Sequence, residues 1–170
     1  MTIKAFNAAG PCFPSVHYLL PSLERLSEVV SLIDGNYYFV IHSPRQSGKT
    51  TYLNLLAKKI NSKGVYYALY CSLELLDGIY DDYKSMKRLI YILNSALRSS
   101  GIPILKEKAY KYDNLPGMND ESSMVQIFLN TLCLDLDKEL VVFFDEADCL
   151  SYEAPLITFL QQIRWLITSV

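Results

Sequence analysis

The nine residues Ser43-Pro44-Arg45-Gln46-Ser47-Gly48-Lys49-Thr50-Thr51 constrain this chain more than any other segment. They lie between a β-prone apolar run at 37–42 (YYFVIH) and a helical pattern that opens at Lys49 and carries Leu53, Leu56 and Ile60 on one face. A short apolar strand that passes through a small polar loop straight into a helix opens a strand–helix–strand unit, and such units build parallel sheets. The loop also carries chemistry. Backbone N–H groups at a helix start have no intrahelical partner and sit at the positive end of the helix dipole, so they attract phosphate. Gly48 lets the backbone approach an anion closely, Lys49 adds a cation, and Thr50 adds a hydroxyl suited to Mg²⁺. The pattern GxxxxGK[ST] is matched except at its first position, where Ser43 stands in place of glycine. Serine is the next smallest polar choice, so the loop is expected to form.

The remaining periodicities extend the unit. A helix is expected over 22–34, with Ser22 as N-cap, Leu23, Leu26, Val29, Val30 and Ile33 on one face, and Gly35 as its stop. Further helices are expected over 49–61, 83–99, 121–134 and 156–167. The run at 65–71 (VYYALYC) and the run at 140–144 (LVVFF) join 37–42 as strands. Gly101 and Pro103 read as the end of the helix at 83–99, and the polar, Tyr-rich stretch 106–117 reads as a surface loop. Residues 1–21 hold Asn7, Gly10, Pro11, Pro14 and Pro21 and read as an irregular lead-in to a single domain spanning 1–170. Alternating strands and helices imply an α/β fold with a parallel sheet, helices on both faces, and a ligand site beyond the carboxyl ends of the strands.

One of those strand ends is acidic. The run Phe143-Phe144-Asp145-Glu146 closes an apolar strand on two carboxylates. Beside a phosphate loop, Asp145 is placed to serve Mg²⁺ together with Thr50. Glu146 is placed to polarise an attacking water. The site expected from the sequence is therefore Ser43 through Thr51 for phosphate, Thr50 and Asp145 for metal, and Lys49 and Glu146 for catalysis.

Composition narrows the alternatives. A hydrophobic share of 51% and a charged share of 20% provide for a packed core over 170 residues. A net charge of -2 does not suggest nucleic acid as a partner. The four cysteines form no CxxC pair and there are two histidines, which argues against zinc. No apolar stretch approaches a membrane span, and a cytoplasmic location is the expectation. The triplet Asp135, Asp137 and Glu139 fails as a calcium loop, because Leu140 stands where glycine is required.

SPRQSGKTT at 43–51, CSLE at 71–74 and VVFFDEADCL at 141–150, with the lead-in FNAAGPCFPSVHYLLPSLERL, resemble the AAA-like ATPases of bacteria and archaea. These are relatives of the STAND and archaeal ATPase families, and the resemblance runs from Phe6 to Arg164. It implies a three-layer P-loop NTPase core, ATP and Mg²⁺ as ligands, and ATP in preference to GTP; a protein partner or a second copy is open, and no arginine finger is assigned, because another subunit or a missing segment often supplies one. It also implies five strands where three are read here. The further strand, which carries a polar sensor, normally lies between the two strands that hold the motifs and would follow 156–167, so the core is expected to be incomplete at its C-terminal side. Two readings stay open beside ATP hydrolysis: a non-hydrolysing ATP-binding switch or remnant of a larger ATPase, and a phosphotransferase.

Other residues receive weaker assignments. Arg45 contacts phosphate or pairs with a carboxylate. His17 and Tyr18 lie near the adenine or pack in the lead-in. His42 is expected to be packed, Glu74 to be solvated, and Tyr37, Tyr66, Tyr67 and Tyr70 to serve strand formation.

Overall fold

The computed structural model describes residues 15–17, 23–42, 47–111, 115, 118–150 and 153–168. Among these residues six α-helices and two β-strands follow in the order α1 (Leu23–Asp34), α2 (Lys49–Lys63), β1 (Tyr67–Ser72), α3 (Asp82–Ser99), α4 (Pro103–Lys111), α5 (Met124–Leu134), β2 (Leu140–Asp145) and α6 (Glu153–Thr168). Short 3₁₀ turns at Glu74–Leu76 and Ala147–Leu150 follow the two strands.

The strands pair in parallel, from Tyr67 opposite Leu140 to Ser72 opposite Asp145. The Tyr67 N–H donates to the Glu139 carbonyl and the Leu73 N–H to the Asp145 carbonyl, both at 2.9 Å. Odd-numbered residues of each strand therefore turn their backbone groups toward the other strand, and even-numbered ones turn them away. Alternation also divides the side chains. Tyr67, Leu69 and Cys71 join Leu140, Val142 and Phe144 on a face packed by α3, α4, α5 and α6. Ala68, Tyr70, Val141 and Phe143 face α1 and α2, against Val29, Ile33, Leu53, Leu56 and Ile60. The sheet thus has a hydrophobic cluster and helices on each face.

α3 is the centre of the larger cluster. Asp81 caps it by accepting from the Lys84 N–H at 2.8 Å. The heptad-like spacing of Met86, Leu89, Ile90, Leu93 and Leu97 gives the buried stripe expected from the sequence. Buried Gln162 on α6 accepts from the Val125 and Gln126 N–H groups at 2.8 and 3.2 Å, satisfying the first turn of α5. At the outer edge of β1, Asn61 of α2 takes both backbone groups of Ala68: its Oδ1 accepts from the N–H at 2.7 Å and its Nδ2 donates to the carbonyl at 2.9 Å. One amide thereby covers this edge at Ala68, where it would otherwise be open to another strand.

Several expectations change, among them the start of the helix expected over 121–134, which begins at Met124. Residues 37–42 form no ladder, so the sheet has two strands among the described residues and not the three read from sequence. β propensity alone does not make a strand; a neighbour must take its N–H and C=O groups. Phe39 and Ile41 still turn inward onto the α1–α2 cluster, while Tyr38 and Val40 are exposed. The stretch read as a loop from 106 begins inside α4, because Pro103 starts that helix; its fixed φ suits a first helical turn. Helix α6 begins at Glu153, earlier than the 156 expected. Of the lead-in, residues 15 and 16 form an exposed turn before half-buried His17, and the rest lies outside the described residues. No helix among the described residues is long and apolar enough to cross a membrane.

Candidate functional site

Two segments far apart in sequence meet at the carboxyl end of β2. Gly48 is the N-cap of α2 and holds φ at +82°, a left-handed conformation that a side chain would strain. It has no side chain with which to cap the helix, and no side-chain cap bond is made there. Lys49 and Thr50 follow in the first turn. Opposite them β2 ends on Asp145, which is 1% exposed.

The Thr50 hydroxyl donates to Asp145 Oδ2 at 2.6 Å, across 95 positions of sequence. Lys49 Nζ lies 3.4 Å from Oδ1 of the same carboxylate. The backbone N–H of Glu146 donates to Oδ1 at 3.0 Å, and the Tyr70 hydroxyl of β1 donates to Oδ2 at 3.0 Å. Burial alone would raise the Asp145 carboxyl. The hydrogen bonds from Thr50, Tyr70 and Glu146, with the charge of Lys49, outweigh it and hold the carboxyl below the ordinary aspartate range. Burial and the adjacent Asp145 charge push the Tyr70 phenol far up, so it stays a donor at any physiological pH.

Glu146 is half-buried and adopts φ of +57°, uncommon for a residue with a side chain. The chain turns sharply there, and the turn is held on both sides. Its N–H is taken by Asp145, and its carbonyl accepts from the Cys149 N–H at 3.0 Å. Local strain of this kind persists where surrounding bonds determine it. The 3₁₀ turns after the strands add acidic groups. Burial first, then Asp148, Asp77, Glu146 and Glu74, raise the Cys149 thiol, which disfavours the thiolate there.

Lys49, Thr50 and Asp145 are thus brought together, and Glu146 joins them through its backbone N–H on Asp145. Ser47 and Gly48 are exposed at the helix mouth, and Thr51 is half-buried in the first turn. Ser43, Pro44, Arg45 and Gln46 lie outside the described residues, as does Tyr18. His42 is exposed and not packed, because the segment carrying it lacks a strand neighbour. Glu74 is exposed on its 3₁₀ turn, as expected. Tyr70 was read from the sequence as a strand former and is also a partner of Asp145. The signal was the alternation in YALYCS, which puts its ring on the α2 face with a hydroxyl that needs a partner.

A buried carboxylate beside a hydroxyl is a pair of hard oxygen donors, the kind that suits Mg²⁺. Among the described residues no group of three or more His, Cys, Asp or Glu side chains could hold a metal ion. A metal that arrives with phosphates needs only one or two protein oxygens, so the pair present fits that mode. A cavity of about 180 Å³ lies elsewhere, between α1 and α2, lined by Val30, Ile33, Leu56, Ile60 and Tyr66 with little polar surface.

No family, curated protein or solved structure matches the chain in comparisons with each.

Proposed function

We propose that this chain binds Mg²⁺–ATP where α2 meets the end of β2, as a three-layer P-loop NTPase domain of the AAA-like kind. The observation that carries this reading is the 2.6 Å bond from Thr50 to Asp145 with Lys49 on the same carboxylate. A helix start bearing a lysine and a hydroxyl, facing a strand end bearing a carboxylate, is the arrangement that phosphate and its metal require. Ser43 to Thr51 cradle the phosphates. Lys49 exchanges Asp145 for the outer phosphate oxygens. Thr50 and Asp145 hold the metal, which when bound neutralises charge on the phosphates. Glu146 supplies a carboxylate beside the site, suited to take a proton from an attacking water.

Thermal unfolding tests the proposal. ATP with Mg²⁺ at 100 times its dissociation constant stabilises a binding protein by about 2.7 kcal/mol. A rise in Tm of several degrees is expected for the wild type and a clearly smaller one for Lys49→Ala. An equal rise in both would refute the reading. Turnover then separates hydrolysis from a nucleotide switch: phosphate release that disappears in Glu146→Gln, with binding kept, assigns hydrolysis to Glu146.

A further inference from the structure

The four groups on Asp145 have different prospects once phosphate and metal arrive. Lys49 has the phosphates as a competing partner, and Thr50 has the metal. The Glu146 N–H is backbone and holds Oδ1. Tyr70 is left as the side chain with no competing ligand on its hydroxyl. It donates to Oδ2, the same oxygen that accepts from Thr50. A hydroxyl has one proton and two lone pairs, so a proton committed to Oδ2 fixes where the lone pairs of Thr50 point.

We infer that Tyr70 is a positioning residue for the metal: by holding Asp145 Oδ2, it aims the lone pairs of the Thr50 oxygen at the cation. This rests on the Mg²⁺–ATP reading of the site. The residue is well placed for the task. Tyr70 is on β1, paired in parallel with β2, with its ring half-buried on the α2 face, so its hydroxyl is set by the sheet and not by a loop. Groups that hold a metal ligand without touching the metal typically change metal affinity by 10- to 100-fold when removed. Tyr70 lies on β1, outside the stretch 43–51 assigned to phosphate.

The test is calorimetric titration of ATP into wild type and Tyr70→Phe, each with Mg²⁺ and with EDTA. Phenylalanine keeps the ring and removes the hydroxyl. The expected result is an affinity in EDTA within twofold of wild type, and a loss of about 10-fold in Mg²⁺. Unchanged affinity in both conditions overturns the inference. An equal loss in both conditions also overturns it, since that marks a general disturbance of the site. Lys49→Ala, run alongside, separates the two readings. If it binds ATP in EDTA as well as wild type does, the phosphate-loop reading fails and this inference falls with it. If Lys49→Ala is weakened but Tyr70→Phe keeps the full Mg²⁺ effect, Tyr70 alone is misassigned.

Discussion

Asp145 is charged at neutral pH in a place that is 1% exposed, and four donors hold it so. Its carboxyl is depressed in the folded state. A depressed carboxyl contributes stability above its unfolded pKa, and that contribution is lost as pH falls through the folded value. Asp145→Asn is therefore expected to cost about 1.5–3 kcal/mol at pH 7, with the gap to wild type closing below about pH 4. Urea unfolding across pH 3–7 measures this, and a constant gap would contradict it. Glu146 offers the opposite trade. Its left-handed φ of +57° strains a residue with a side chain and costs glycine nothing. Glu146→Gly is expected to keep or raise stability by up to about 1 kcal/mol while abolishing any turnover. A clear loss of stability would show that the carboxylate, and not the turn, matters to the fold.

Among the elements, α2 serves the site at one end and the sheet at the other. Its first turn presents Lys49 and Thr50, and near its last turn Asn61 covers the β1 edge at Ala68. Asn61→Ala removes two hydrogen bonds and leaves a backbone pair to water, so a loss of about 1–3 kcal/mol in urea unfolding is expected. A change under 0.5 kcal/mol would mean that water replaces the amide without cost. The helices were legible where their apolar stripes are long: α3 shows its face through Met86, Leu89, Leu93 and Leu97. The start of α4 at Pro103 is hidden in the sequence because a proline that follows one helix is chemically the same proline that starts the next. Residues 37–42 were misread because their composition reports β propensity and says nothing about whether a neighbour takes their backbone groups.

For the molecule as a whole, the sheet is the means by which distant motifs become one site. Register brings Ser72 opposite Asp145, and α2 packs on the face that carries Tyr70, Val141 and Phe143. The sequence made Lys49, Thr50, Asp145 and Glu146 visible because phosphate chemistry demands those residue types at those spacings. For Tyr70 the alternation in YALYCS gives the face of the ring, while the pairing of β1 with β2 decides that the partner of its hydroxyl is Asp145. The most direct measurement is calorimetric binding of Mg²⁺–ATP to wild type and Lys49→Ala. Loss of a charge-assisted phosphate contact is expected to weaken binding by about 10- to 150-fold. A folded wild type that binds no ATP, or a Lys49→Ala variant that binds it as tightly, would contradict the assignment of this helix start and strand end as a nucleotide site.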